Sequence, residues 1–232
     1  MVKTQRGRPR SFDRLTALEQ ATMAFWERGY ETTSVSDLTR AMGISAPSLY
    51  AAFGDKKTLF EEVVEVYATS YGAYGGRAFA EESTARGAIG RLLGEAAELF
   101  AEPGHPRGCL MISAATNCST PEVEESLRAR RNANLASFEA RIQQGVEAGE
   151  LPADTDARAL ARFSGAVLQG MSQQARDGAT AAELAAVAET AMRAWPPAPA
   201  RVPAENAPDA ASDANSGAAE ETAPETPAGR GA

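Results

Sequence analysis

A chain of 232 residues, 44% of them hydrophobic, is long enough to bury a core without disulfide or metal support. Two cysteines are too few for a secreted disulfide scaffold, and no apolar stretch could cross a bilayer, so we expect a cytoplasmic protein with reduced thiols and no membrane partner. A formal net charge of −8 argues against a non-specific polyanion binder.

The charge is unevenly distributed along the chain. Near the N-terminus one acid, Asp13, stands against five basic residues: Lys3, Arg6, Arg8, Arg10 and Arg14. Local positive charge of this kind attracts DNA phosphates. We interpret residues 1–10 as a flexible basic arm. Its arginines either enter a minor groove or form a disordered tail that adds only non-specific attraction.

A first helix is predicted between Ser11, as the N-cap, and Gly29, which suits a left-handed C-terminal position. Its buried stripe should contain five residues at helical spacing: Leu15, Leu18, Thr22, Phe25 and Trp26.

Two short helices should follow within residues 34–53. Ser34 and Asp37 form the S-x-x-D version of a capping box, and Gly43 breaks the helix that they begin. Ser45 caps the next helix, which accepts Pro47 in its first turn and ends at Phe53. Two short helices joined by a glycine-led turn predict a helix-turn-helix motif.

The rest of the chain has helical periodicity up to Trp195 and no long alternating strand pattern, which predicts an all-α fold. Asp55 should cap a helix that runs to Tyr71, completing a DNA-binding domain over residues 11–71. Residues 72–195 should form a larger helical domain, with helices near 85–101, 105–117, 121–148, 155–177 and 180–195. The apolar stripes of the last two helices either pack into the core or also form a dimer interface.

From Pro196 onward the composition changes. Leu, Ile, Phe, Tyr and Trp disappear, while Pro, Ala, Gly, Ser and acidic residues dominate. Such a segment cannot bury enough apolar surface to offset its ordering entropy, so we predict a disordered tail over residues 196–232.

One stretch resembles the DNA-binding domain of the TetR family of transcriptional regulators. It reads TSVSDLTRAMGISAPSLYAAFGDKKTLFEEVVEVY, with FWERGYETT before it. A helix-turn-helix pattern alone is weak support, but the combination GYETTS, MGIS, P-x-LY, F-x-DK and LF is specific. The resemblance covers about Ser11 to Tyr71.

A weaker resemblance extends over the rest of the chain. The segments GRPRSFDR, PRGCLMI, LQGMSQQARDGAT and AMRAWP are similar to the branch of the family that includes a copper-responsive repressor of an outer-membrane protein. Copper is not carried over, because no His-rich or closely paired Cys cluster accompanies Cys109. We expect no metal and no cofactor.

The resemblance implies that residues 45–53 form the recognition helix in the major groove of operator DNA. The side chains nearest the bases would then be Ser45, Ala46, Pro47, Ser48, Tyr50 and Ala51. No Arg, Lys, Asn or Gln lies in this segment, so specificity should depend on apolar contacts, small-residue fit and DNA shape.

Phosphate contacts are expected from four residues: Thr33, Ser34, Tyr50 and Lys56. A lysine in the first turn of a helix opposes the helix dipole, which is understandable if a phosphate binds there. The alternative for Lys56 is a solvated side chain beside Asp55.

The family resemblance also implies that the helical domain of residues 72–195 binds an effector and dimerises. The candidate effector pocket contains six residues: Cys109, Met111, Asn117, Cys118, Phe163 and Met171. Each of them is also compatible with an ordinary core position. His105 is predicted to be a surface or capping residue rather than a ligand. Cys109, after a Pro-Arg-Gly turn, is either a sensor thiol whose pKa a helix terminus lowers or a buried apolar residue.

These observations predict a repressor that binds a palindromic operator as a homodimer and is released by a small-molecule effector. The alternatives are an architectural DNA-binding protein without an effector and a redox or metal sensor that acts through Cys109. An enzyme is disfavoured, because His105 with Cys109 is the only nucleophile and base pair, and no third group orients it.

Overall fold

The computed structural model describes residues 12–116 and 118–197, and within these ranges it contains helices and no strand. Eleven helical elements follow one another along the described chain: α1 Arg14–Arg28, α2 Val35–Met42, α3 Ala46–Phe53, α4 Lys56–Thr69, a 3-10 turn Tyr71–Ala73, α5 Tyr74–Glu81, α6 Ala85–Ala101, α7 Leu110–Ser113, α8 Pro121–Glu147, α9 Ala157–Arg176 and α10 Ala181–Arg193. The all-α prediction is confirmed.

Helix α1 begins later than predicted. Asp13 is its N-cap, and the Asp13 carboxylate accepts from the backbone N–H groups of Leu15 and Thr16. Ser11 lies outside the described residues. Four members of the predicted stripe are buried, but Leu15 is 76% exposed, so its assignment to the buried face was wrong. Leu15 lies in the first turn of α1, and the buried residues of this helix begin at Ala17.

The capping signals of the helix-turn-helix motif are confirmed. Ser34 and Asp37 form a reciprocal capping box at the start of α2. Gly43 ends α2 in the left-handed conformation at φ +65°, which a residue with a side chain adopts at a cost. Ser45 caps α3, and Asp55 caps α4 through a 2.7 Å bond from the Thr58 N–H.

Helix α4 ends at Thr69, before the predicted Tyr71, and the additional helix α5 follows the 3-10 turn. Sequence reasoning missed α5 because Gly72, Gly75 and Gly76 dilute its helical signal.

The predicted helix 105–117 is largely wrong, because only Leu110–Ser113 is helical. Pro103 and Pro106 cannot supply backbone N–H groups, and Gly104 and Gly108 have positive φ angles, so the preceding segment is a loop. The helices that follow agree with prediction within two residues at each end.

One continuous core connects α1–α4 with the later helices. Helix α10 packs on α6, and α8 packs on α9. The buried indole of Trp195 closes the end of α10, where the Arg86 guanidinium donates to three backbone carbonyls, those of Met192, Trp195 and Pro196. No helix in the described ranges is long and apolar enough to cross a membrane. The predicted basic arm, with Arg6, Arg8 and Arg10, and residues 198–232 of the predicted tail lie outside those ranges.

Candidate DNA interface and ligand cavity

Helix α3 has one buried and one exposed face. Leu49 and Phe53 are buried against α2 and α4 and hold the helix in place. Tyr50 is 50% exposed, and Ser45, Pro47 and Ala51 are also exposed, whereas Ala46 and Ser48 are half-buried. The structure therefore brings all six predicted base-facing residues to the exposed side of α3 or its edge.

The two serine hydroxyls on this face already have partners. The Ser45 and Ser48 hydroxyls lie 2.9 Å apart, and Ser45 also accepts from the Ser48 backbone N–H. The face lacks Arg, Lys, Asn and Gln, the residues that read base edges in bidentate fashion.

The structure contradicts the assignment of Thr33 as a phosphate contact. Its side chain is fully buried, and its hydroxyl donates a 2.6 Å hydrogen bond to the carbonyl of Gly29. The bond ties the loop before α2 to the end of α1, so this hydroxyl is not available to DNA. Ser34 is exposed, but its hydroxyl is engaged with Asp37 at 2.6 Å.

Lys56 is held in place rather than freely solvated. Its Nζ lies 4.2 Å from the centre of the Tyr30 ring, a cation–π distance, at the N-terminal turn of α4. Partial burial lowers the pKa of Lys56, and the nearby Glu31 acts in the opposite direction. The cation is thus pre-positioned at the start of α4, a helix end that the Asp55 carboxylate already caps.

Sequence reasoning did not select Arg40, which lies in the last turn of α2. Its side chain is 74% exposed and contacts Asp37 at 3.2 Å. An exposed cation within a helix-turn-helix motif was a usable signal, and Arg40 is a further candidate for phosphate contact.

A cavity of about 560 Å³ lies between α4 and the later helices. Its volume is in the usual range for small-molecule sites. Its wall comes from α4, the 3-10 turn, α5, α7 with the residue before it, α8 and α9. Most of the wall is apolar or aromatic, including Tyr67, Tyr74 and Phe138, and three arginines also line it: Arg77, Arg130 and Arg131.

Two of the six predicted pocket residues, Cys109 and Met111, line this cavity. Met171 is fully buried in the core, Phe163 is 40% exposed on α9, and Cys118 makes a long contact to the Thr120 carbonyl elsewhere. Asn117 lies outside the described residues. The prediction missed the three arginines, which come from α5 and α8. For Tyr67 and Tyr74 the sequence left open whether they face the cavity or the domain junction, and both line the cavity.

Cys109 does not have the environment of a reactive thiol. Burial raises the pKa of Cys109, although Tyr67 and two backbone N–H groups act in the opposite direction. Of the two alternatives that the sequence left open for Cys109, the structure supports the buried apolar residue, because α7 has only four residues and the side chain is buried.

His105 was also predicted incorrectly, because it is not at the surface. Its ring stacks on Trp26 with centroids 4.5 Å apart, and its side chain is 6% exposed. Nδ1 lies 3.0 Å from the Pro106 carbonyl. His105 therefore packs the loop before α7 against α1.

The segment around α7 joins the cavity to the helix-turn-helix module. The Tyr30 backbone N–H donates to the Ala114 carbonyl at 2.8 Å, and Ser119 donates twice to the Glu31 carboxylate. Arg176, at the end of α9, donates to the carbonyls of Trp26 and Glu27. No group of three or more potential metal ligands occurs in the part of the chain that the structure describes.

The fold and the site together define a helix-turn-helix protein of the DNA-binding type, with a larger helical region that contains a cavity. Residues 17–63 match the family model of bacterial regulatory proteins of the tetR family, and residues 88–193 match the tetracyclin repressor-like C-terminal domain. The chain belongs to the TetR family of transcriptional regulators.

Named relatives agree with this assignment. The transcriptional repressor ComR of Escherichia coli strain K12 is 36% identical over 84% of this chain and 94% of its own length. The repressor BdcR of the same strain is 26% identical over 81% of this chain and 91% of its own. A cysteine mutant of the regulator CifR, solved with a 26 bp double-strand operator DNA, is 44% identical, with a TM-score of 0.76 over 82% of this chain and 100% of that chain.

Proposed function

We propose that this protein is a transcriptional repressor that binds a palindromic operator as a homodimer and leaves it when a small molecule fills the cavity. The observation that supports the proposal is that helix α3 has one buried face and one exposed face. Leu49 and Phe53 anchor it in the core, and Tyr50 and Pro47 project outward beside the pre-positioned cation of Lys56.

A second copy of the chain fits the exposed face of α9. Leu160, Phe163, Val167 and Gly170 recur at helical spacing there. Phe163 is one of three large apolar side chains exposed in the described residues, whereas Leu160, Val167 and Gly170 are half-buried. This apolar stripe supports a two-fold dimer, and to read a palindrome such a dimer must hold its two α3 helices about one DNA turn apart, ~34 Å.

The cavity and the DNA-binding helices can communicate because only a few residues of chain separate the cavity wall from a contact with the end of α1. Met111 lines the cavity, and three residues later the Ala114 carbonyl accepts from Tyr30 at the end of α1. A ligand that displaces α7 therefore acts directly on the module that contacts DNA.

The proposal is tested by footprinting the purified protein on the DNA upstream of its own gene and by sedimentation of two variants. Phe163→Glu should give a monomer that loses operator binding. Leu15→Glu changes another exposed apolar side chain, on α1, and should stay dimeric. A Phe163→Glu protein that remains a dimer would exclude the α9 interface, and a wild type that protects no inverted repeat would exclude the repressor.

The alternatives receive less support. An architectural protein without an effector needs no cavity. This protein has a cavity, and part of its wall is α7, the segment that contacts the end of α1. A sensor thiol needs access and a low pKa, whereas the Cys109 thiol is enclosed and burial raises its pKa.

A further inference from the structure

The charge of the cavity wall is one-sided. Three arginines line the cavity, Arg77, Arg130 and Arg131, and no aspartate or glutamate is among its lining residues. This is unexpected in a chain of formal net charge −8, in which acids outnumber basic residues by 31 to 23.

Two of these arginines are already neutralised from outside the cavity. Arg77 contacts the Glu95 carboxylate at 3.2 Å, and Arg130 contacts Glu65 at 2.9 Å. Both pairs are exposed, and each arginine has its charge partner without a ligand.

Arg131 differs from its neighbours. It is partly buried, and no carboxylate of the described residues lies within ion-pair distance of its guanidinium. Its hydrogen bond goes to the neutral carbonyl of Met111 at 3.0 Å. Burial lowers the pKa of Arg131, with Glu124 acting in the opposite direction, but an arginine stays charged at neutral pH. The cavity thus holds a partly desolvated cation that lacks an anion.

The Tyr67 hydroxyl gives an independent observation. It is buried at the same cavity and has no hydrogen-bond partner of normal geometry, although it lies near enough to Cys109 to influence the pKa of that thiol. Burial raises the pKa of Tyr67 well above its ordinary value, so the hydroxyl keeps its proton. The Cys109 sulfur is at most a weak acceptor, so this buried donor is poorly satisfied, and a ligand oxygen would satisfy it.

We propose that the effector is an organic acid. Its anionic group pairs with Arg131, and its apolar or aromatic body fills the space lined by Tyr74, Leu135 and Phe138. The inference rests on the proposed function, since it names the chemical class of the effector of that repressor. The anion competes with the Met111 carbonyl for the guanidinium of Arg131. Binding of the anion therefore affects α7, because Met111 lies in α7 and the end of this helix is hydrogen-bonded to the end of α1.

The test uses two probes with the same aromatic body. The anion 8-anilinonaphthalene-1-sulfonate carries a sulfonate, and N-phenyl-1-naphthylamine lacks it. Their fluorescence is titrated with wild type, Arg131→Gln, Arg131→Lys and the matched control Arg130→Gln, whose wild-type residue already has an acidic partner.

We expect Arg131→Gln to weaken sulfonate binding by roughly 10- to 100-fold, the effect of losing a charge-assisted hydrogen bond, and to leave the neutral probe unchanged. Arg130→Gln should change sulfonate binding by less than about threefold, because its charge is compensated. Arg131→Lys, which keeps the charge, should fall between wild type and Arg131→Gln and provides a second reading if the glutamine variant does not fold.

Equal sulfonate affinity in wild type and both Arg131 variants, tighter binding of the neutral probe, or no saturable binding to wild type would overturn the organic-acid proposal. Operator binding by the wild type without probes is measured separately. A protein that protects its operator but ignores the sulfonate retains the proposed function and loses only this inference.

Discussion

The backbone N–H of Tyr30 donates a 2.8 Å hydrogen bond to the carbonyl of Ala114, across 84 positions of sequence. The bond is possible because Gly29 lets the chain leave α1 at φ +81° and ψ 170°, a conformation that residues with a side chain avoid. It joins the end of α1 to the segment around α7, which lines the cavity.

This geometry predicts that Gly29→Ala is more damaging than Gly43→Ala. A Cβ on Gly29 would lie 3.2 Å from the Ala114 carbonyl oxygen, whereas a Cβ on Gly43 meets nothing within 4 Å. We expect a loss of about 2–3 kcal/mol for Gly29→Ala and about 1 kcal/mol for Gly43→Ala in urea unfolding. Gly43→Asn should be nearly neutral, since asparagine tolerates the left-handed region. Equal losses at both glycines would show that the Ala114 contact is not tight.

Lys56→Ala should weaken binding to every DNA sequence and lower the slope of log K against log salt by about one. The reason is the loss of one phosphate contact at the start of α4. Arg193→Ala, on α10 and away from α1–α4, serves as the charge-matched control and should leave the slope unchanged. Tyr50→Ala should instead cost ~1–3 kcal/mol in a sequence-dependent way. An unchanged slope in Lys56→Ala would exclude a phosphate role.

The two cysteines should differ in reactivity. Because Cys109 is buried with a raised pKa and Cys118 is only partly buried, iodoacetamide should label Cys118 at least ~10-fold faster in the native protein. Mass spectrometry of peptides follows both rates, and Cys118→Ser should remove the fast phase. Operator binding after mild peroxide should be alike in wild type and Cys109→Ser. Faster labelling of Cys109 would restore the sensor hypothesis.

The capping box of α2 predicts a pH-dependent contribution to stability. Hydrogen bonds from Ser34 lower the pKa of Asp37, helped by Arg28 and Arg40. Because this pKa lies below the unfolded value of about 3.9, the stabilisation is present at neutral pH and is lost as the pH falls through the folded-state pKa.

Asp37→Asn should therefore lower the melting temperature at pH 7, and its difference from wild type should shrink towards pH 3. The matched control is Glu183→Gln, because hydrogen bonds from Thr180 lower the pKa of Glu183 in the same way at the start of α10. Both variants should lose stability, but only Asp37→Asn should weaken operator binding. A difference from wild type that does not vary with pH would contradict the carboxylate's role.

The helix-turn-helix module was predictable because its signals are local. Ser34 with Asp37, Gly43, Ser45 and Asp55 each specify a helix end through the nearest few residues. The N-cap of α1 was wrongly assigned to Ser11, because Asp13, two positions later, is an equally good N-cap residue type. The Thr33 hydroxyl could not be placed from sequence, since its burial depends on how the loop folds back on Gly29.

The cavity was only partly predictable, because non-local packing creates it. Tyr67, Arg77, Cys109, Arg131 and Leu168 come from five helices or loops separated by up to about a hundred positions. Periodicity identifies a buried stripe, but it does not tell which buried residues face empty space. Arg131 lies in the run RARR, which in sequence looks like a solvated helix face.

The stacking of His105 on Trp26 makes the junction between α1 and the loop before α7 detectable by tryptophan fluorescence. An imidazole in contact with an indole quenches its fluorescence, and any movement of the loop before α7 changes that contact. The chain has two tryptophans, and the other, Trp195, packs at the end of α10, remote from α1. In a Trp195→Phe protein the emission of Trp26 alone would report the opening and closing of this junction, with no attached dye and no DNA present.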